Sequence, residues 1–268
     1  MYWYRAPAVK RQRLGEHPNP EQMNNSISSL QIQNAVLLDN PIWHSLAGHH
    51  AHLAIGAEVG RGLARRYPAE IGPLAALQDA TPEAYAELAA AGPEGDLAIL
   101  FFEHTPAIPA GWQLLRGGTL VQMVCPEAPE KPALGGAIVP LEPEDYPEMV
   151  ALTALTEPGP FRAQTAQLGG FVGIRVDGRL AAMAGQRMSL EGFAEVSAVC
   201  THPDFRGRGF AQALVAAVAR AIHAAGRIPF LTAFESNTGA IRVYEQVGFI
   251  ARRRFELAVV KPPSLVRS

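Results

Sequence analysis

The sequence predicts a mixed α/β (α+β) fold, and three observations carry that prediction. Apolar residues make up 48% of the 268 positions, enough for a sizeable core. Short strand-like runs and helical periodicities follow one another along most of the chain. Two of the strands meet at Asp177-Gly178, a hairpin signal that a strictly alternating strand–helix order would lack.

In chain order, Thr81-Pro82-Glu83 opens a helix, with Thr81 as N-cap and Pro82 at the first helical position, and Gly92-Pro93 stops it. Leu97 to Phe102 reads as a buried strand, and Trp112 to Cys125 as one or two more around Gly117-Gly118. Pro126 to Gly136 is a linker rich in Pro, Glu and Gly. Ala137 to Leu141 is a strand, Glu144 to Thr156 a helix, and 171–176 with 180–188 the hairpin. A strand at 196–200 precedes an amphipathic helix with Phe210, Leu214, Val218 and Ile222 four apart, ending at Gly226. A strand at 230–234, a helix closed by Gly248 and a strand over 249–260 complete the order.

Bulk properties exclude several functions. Lys and Arg number 23 against 25 Asp and Glu, a net charge of −2. Nucleic-acid binding needs clustered positive charge, so no nucleic-acid partner is expected. Arg252, Arg253 and Arg254 read as a solvated strand edge. Two cysteines, Cys125 and Cys200, fit reduced thiols in a cytoplasmic protein. The N-terminus lacks the apolar core of a signal peptide, and no segment is long and apolar enough to span a bilayer, so no membrane partner is expected. Residues 1–30 read as a flexible arm within which Met23 is the expected natural start.

The most informative segment is Thr201 to Ala211, between a strand and a helix. Gly207 and Gly209 permit unusual dihedrals and let the backbone approach an anion. The unpaired N–H groups of the next helical turn, with the helix dipole, favour that anion. Arg206 and Arg208 supply forked donors suited to phosphate, and Ala211 leaves room in the first turn. The segment is neither a P-loop nor a GxGxxG, since it lacks GK[ST] and the third glycine.

Arg206-x-x-Gly209-x-Ala211 resembles the pyrophosphate signature of the GNAT superfamily of acyl-CoA-dependent N-acyltransferases, (Q/R)-x-x-G-x-(G/A). Glu195 to Cys200 precedes it at the family's spacing, and Asn237 to Phe249 resembles the family's second motif, N-x-x-A-x-x-(L/V/I)-Y-x-x-x-G-F. The resemblance covers about residues 137–260. It implies a mixed, mostly antiparallel sheet flanked by helices. It also implies an N-acetyltransferase that uses acetyl-CoA as co-substrate, without a metal, and passes the acetyl group to a primary amine by direct attack on the thioester. The acceptor would be a small-molecule or peptide amine, and a homodimer is left open.

Carried over residue by residue, the resemblance assigns Val199, Cys200 and Thr201 to the pantetheine amides, in the manner of an added strand. It assigns Arg206, Gly207, Arg208, Gly209, Phe210, Ala211 and Gln212 to the pyrophosphate, and Asn237 to the pantetheine arm. Asn237 also reads as a helix N-cap. Tyr244 matches the tyrosine that protonates the departing thiolate; the alternative is a core aromatic. Glu195, eleven residues before Arg206, stands at the offset of the catalytic glutamate in histone-type members. A substrate counter-ion or an outward strand carboxylate is the alternative. Glu157 is a secondary acceptor-site candidate. Cys200 lacks a readable partner histidine for covalent catalysis, and His49-His50-x-His52 lacks supporting metal-ligand spacing.

The chain thus divides into an arm at 1–30, an N-terminal α/β region at 31–132 and a GNAT-like catalytic domain at 133–268. The N-terminal region has neither motif. Its element order suggests a degenerate copy of the same fold, as in the tandem glycine N-acyltransferase-like group. A longer acyl-CoA as donor, and an acyl-CoA-binding sensor without turnover, are the competing readings.

Overall fold

In the computed structural model, residues 35–56, 62–93, 95–131 and 137–263 are described. The expected arm and the natural start at Met23 lie outside them. The chain divides into two units, residues 1–36 and 37–268, and the account below concerns the second.

Helix α1 (Pro41–Ala47) starts where Asn40 accepts the Trp43 N–H at 3.4 Å and Pro41 fills the first turn. Asn40 also donates to the Leu77 carbonyl at 2.8 Å, which ties α1 to a two-stranded sheet of β1 (Ala64–Arg66) and β2 (Ala75–Leu77). Sequence periodicity does not announce these elements, because a seven-residue helix and three-residue strands are too short to repeat a pattern. Helix α2 (Pro82–Ala90) follows the expected cap: Thr81 Oγ1 accepts the Ala84 N–H at 3.2 Å.

Eight strands form the main sheet. They are β3 (Ala98–Phe102), β4 (Gln113–Val124), β5 (Ile138–Leu141), β6 (Phe171–Val176), β7 (Arg179–Leu190), β8 (Phe193–Thr201), β9 (Ile228–Phe234) and β10 (Ile250–Lys261). Their spatial order is β3-β10-β4-β9-β8-β7-β6-β5, and all pairs are antiparallel except β8 with β9. The mostly antiparallel α+β sheet is the one expected. The boundary anticipated near residue 132 falls between β4 and β5, both strands of this one sheet. Strand β4 runs unbroken through Gly117-Gly118 and lies between β9 and β10. The β6–β7 hairpin turns on Asp177 and Gly178, with φ of 51° and 79°, the twist that a two-residue hairpin requires.

Strand β10 lies between β3 and β4, but β3 pairs only with Glu256–Val260, so Arg252–Arg254 have a neighbouring strand on the β4 side alone. Arg252 and Arg253 bind Asp39 at 2.6 and 2.9 Å, and Arg254 binds Glu235 at 2.6 Å. They tie β10 to its surroundings.

Helices α3 (Tyr146–Thr156), α4 (Phe210–Ala224) and α5 (Thr238–Val247) flank the sheet. The apolar face of α4 (Leu214, Val218, Ala219, Ile222) packs on Ala182, Ala184, Ala194 and Val196. These small residues let the helix axis come close to the strands. The alternating residue Met183 faces the other way, against Met149 and Leu152 of α3. Helix α1 covers a third cluster that includes Leu190, Phe193 and Phe230.

Beneath α1, three buried polar groups satisfy one another. Ser45 Oγ lies 3.1 Å from His50 Nδ1 and 3.0 Å from the Tyr67 hydroxyl, and His50 Nδ1 is 2.8 Å from that hydroxyl. The Ser189 N–H donates to Ser45 Oγ at 3.2 Å, which anchors the cluster to β7. Burial, with His52, His49 and Arg227 nearby, pushes the His50 imidazole down to about 4, against a weaker opposing hydrogen bond to the Leu168 backbone. The unfolded chain therefore takes up this proton before the folded chain does. The stability from neutral His50 is complete above pH 6.5 and is lost as pH falls toward 4, by up to about 3 kcal/mol. Thermal melts should show Tm falling across that window. A His50→Asn variant should start lower at pH 7.5 but lose less Tm over the same range; an equal or steeper loss would remove His50 as the source.

Candidate active site

Strands β8 and β9 pair only at Phe193–Ile228, Ala194–Pro229 and Glu195–Phe230. Beyond Glu195, β8 bulges against β7 between Ser197 and Cys200, and Ala198 adopts φ 52°. A non-glycine residue in this region costs roughly 1–2 kcal/mol, so the surrounding packing must impose it. From there β8 and β9 run on without pairing, which leaves backbone groups of Val199 to Thr201 open toward β9.

At the end of β8 the chain makes a 3-10 turn, Pro203–Phe205, and His202 Nδ1 accepts the Asp204 N–H at 3.2 Å. Gly207 and Gly209 have φ of 77° and 75°, and a Cβ at either position would meet nothing within 4 Å. Glycine is thus required here by conformation, and the space beside the loop is open. Helix α4 has no side-chain cap, and the Ala213 N–H is bonded to the Gly209 carbonyl at 3.1 Å. The N–H groups of Phe210, Ala211 and Gln212 precede that bond and form an anion-binding terminus. Arg206 stands beside them. Arg208 instead lies over the Phe205 ring, 5.2 Å from its centre.

Helix α5 begins at Asn237, whose side chain accepts the Ala240 N–H at 3.2 Å, and ends at Gly248 with φ 108°. Asn237 is therefore an N-cap. Tyr244, on the inner face of α5, packs near Phe249 with ring centres 6.3 Å apart. Burial pushes its phenol up to about 12.

These parts meet in one cleft of about 1130 Å³. Tyr244 lines it, as do all the expected cofactor residues except Arg208: Val199, Cys200, Thr201, Arg206, Gly207, Gly209, Phe210, Ala211, Gln212 and Asn237. Thr201 Oγ1 is buried with no hydrogen-bond partner among the described residues. A buried orphan hydroxyl on a cleft wall suits a polar ligand group. Cys200 is buried, and burial pushes its thiol up to about 11, so it stays a thiol near neutral pH. His50 of the His49-His50-x-His52 run points into the Ser45–Tyr67 cluster, and among the described residues no three His, Cys, Asp or Glu side chains gather as metal ligands.

Glu195 lies behind the cleft wall and is fully buried. Its Oε2 accepts Arg187 Nε at 2.7 Å, its Oε1 accepts Arg187 Nη2 at 2.8 Å, and the Thr232 hydroxyl donates to Oε1 at 3.0 Å. Arg187 and Thr232, not Glu195, reach the cleft. Burial works against the Arg187 charge, and the facing Glu195 more than offsets it, so the guanidinium is held above its ordinary value. Sequence reasoning missed both partners. The available signal was a lone arginine in the apolar run of β7, eight residues before a lone glutamate in the apolar run of β8.

Removing one partner of a buried pair strands the other charge, at about 3–5 kcal/mol. Urea denaturation should show Arg187→Met losing stability of that order. The double variant Arg187→Met/Glu195→Gln should recover a large part of it. A double variant no more stable than the single one would mean that packing, not the stranded charge, sets the loss.

A family model described as FR47-like protein matches residues 171–257. A solved structure of a GNAT-family protein from Novosphingobium aromaticivorans is 40% identical, with a TM-score of 0.75, covering 85% of this chain and 99% of that one. A GCN5-related N-acetyltransferase from Kribbella flavida shares the fold at 20% identity and a TM-score of 0.57, covering 84% of this chain and 95% of that one. A Drosophila protein shares it at 15% identity and a TM-score of 0.62, covering 92% and 97%. No curated protein matched.

Proposed function

The chain belongs to the GNAT family of acyltransferases, and from that premise we propose that it is an N-acetyltransferase that transfers the acetyl group of acetyl-CoA to a primary amine by direct attack on the thioester. One observation supports this above the others. A single cleft joins a glycine-formed helix start, the gap between two parting strands and a partly buried phenol.

The residues fit the co-substrate. The open space beside Gly207 and Gly209, the free N–H groups of α4 and the Arg206 guanidinium would hold the pyrophosphate. The backbone of Val199 to Thr201 on its β9 side, with the orphan Thr201 hydroxyl, would meet the amides of the pantetheine arm as a neighbouring strand does. The Asn237 side-chain N–H₂ is left over from capping and faces the same cleft. Bound there, acetyl-CoA supplies the activated acyl group.

Tyr244 is the proposed acid. At about 12 its phenol keeps its proton throughout the neutral range. Against an ordinary thiol of about 8.5, donation from such a phenol would be uphill by several units. The burial that disfavours phenolate also disfavours an anionic sulfur in the same cleft, which narrows that gap. Glu195 enters through its neighbours: it fixes Arg187 and Thr232 at the wall, and the Thr232 hydroxyl is the route by which a proton from the amine would reach it. This replaces direct contact between Glu195 and the amine.

Thiol release from acetyl-CoA over a panel of amines tests the activity. CoA binding without release on any amine would favour a sensor. Tyr244→Phe should lower kcat about 10²-fold or more with the Kd for acetyl-CoA little changed. Arg206→Ala should weaken that Kd about tenfold with a smaller effect on kcat at saturation. Unchanged kcat in Tyr244→Phe would remove Tyr244 from the acid role.

A further inference from the structure

The cleft has a second wall, which the cofactor residues do not occupy. It is built from β3, β4 and β10. Strand register places Ile99, Val259 and Arg116 in one cross-strand row, and Phe101, Leu257 and Gly118 in the next row on the same face. Because Gly118 has no side chain, the Phe234 ring of β9 lies across it; a Cβ there would stand 3.0 Å from the ring. The Arg116 guanidinium lies 5.0 Å from the centre of that ring. The result is an apolar shelf with a cation beside it.

Charge bookkeeping narrows what the shelf accepts. Four charged side chains line the cleft: Arg116, Glu157, Arg187 and Arg206. Arg206 belongs to the pyrophosphate end, and Arg187 is neutralised by Glu195. That leaves Arg116 and Glu157, and among the described residues neither is in an ion pair. Glu157 sits at the end of α3 with φ 47°, and it lines the cleft with Pro158 to Phe161 of the loop that follows.

We infer that the acceptor is an amino acid with an apolar, ring-sized side chain: Glu157 meets its ammonium, Arg116 its carboxylate, and the apolar shelf of Ile99, Phe101, Phe234 and Leu257 its side chain. This rests on the acyltransferase reading. A long acyl chain would use the shelf but leave both charges without partners. A simple arylalkyl amine would leave Arg116 unpaired. A zwitterion with an apolar body uses all three features.

The test pairs each amino acid with its decarboxylated amine in the thiol-release assay: phenylalanine with phenethylamine, tryptophan with tryptamine, and glycine as the carboxylated control without a side chain. The aromatic amino acids should exceed both their amines and glycine in kcat/KM by about ten- to a hundredfold. Arg116→Met, which keeps an apolar stem at an exposed position, should abolish the preference over the amines by raising KM for the amino acids alone. Glu157→Gln should weaken amino acids and amines alike. Binding of N-acetylphenylalanine, followed by calorimetry in wild type and Arg116→Met, needs no turnover. It should weaken about tenfold in the variant even if no amine is acetylated, which separates failure of the pocket from failure of the activity. Amines equal to or better than their amino acids, or N-acetylphenylalanine binding unchanged by Arg116→Met, would overturn the inference.

Discussion

The parting of β8 from β9 is held by one buried side-chain cluster. The last backbone pair between the strands is Glu195 with Phe230. Two residues further along β9, the Thr232 hydroxyl reaches back to Glu195, and Arg187 of the adjoining β7 closes on the same carboxylate. The cluster therefore sits at the fork, where three strands are pinned by side chains bonded to one carboxylate. Past it, the Ala198 bulge turns β8 away and opens the slot. The α4 terminus and Tyr244 are placed relative to that slot: α4 by its alanine-lined seat on β7 and β8, and α5 by the same cluster through Val247 and Tyr244.

The far side of the slot comes from a distant part of the chain. Strand β4 lies between β9 and β10, and β3 lies outside β10, although both precede β5 in sequence. Consequently residues 98–124 do not merely adjoin the motif-bearing region; they complete its sheet and supply Ile99, Phe101, Arg116 and Leu120 to the cleft. The cofactor end is built from 199–244 and the opposite wall largely from 98–120 and 257–259, so the two ends of one cleft can vary separately in sequence.

What the sequence made legible was local. Thr81-Pro82 capped its helix, Asp177-Gly178 turned its hairpin, and Gly207 and Gly209 took the left-handed conformations that their place before α4 suggested. Each is decided by residues within one turn of one another. The illegible features were long-range. The insertion of β4 beside β9, the interior position of β10 and the partnership of Arg187 with Glu195 depend on which strands pair. Periodicity reports a strand's faces but not its neighbours. Elements as short as α1, β1 and β2 carry too few residues to show a period at all.

A physical reason exists for an ionic cluster at the fork in place of apolar packing. Two strands with free backbone edges and apolar side chains would gain ladder hydrogen bonds by closing on one another, which would erase the slot. Glu195 and Thr232 are bonded through their side chains, past the last backbone pair of the two strands. Arg187 donates to both oxygens of the same carboxylate. Closing the strands would have to displace a bidentate pair whose carboxylate is fully buried, and that carboxylate would be left without its partner. A cluster that is costly to desolvate in the folded state is therefore costlier still to disassemble. The open cleft follows from that asymmetry.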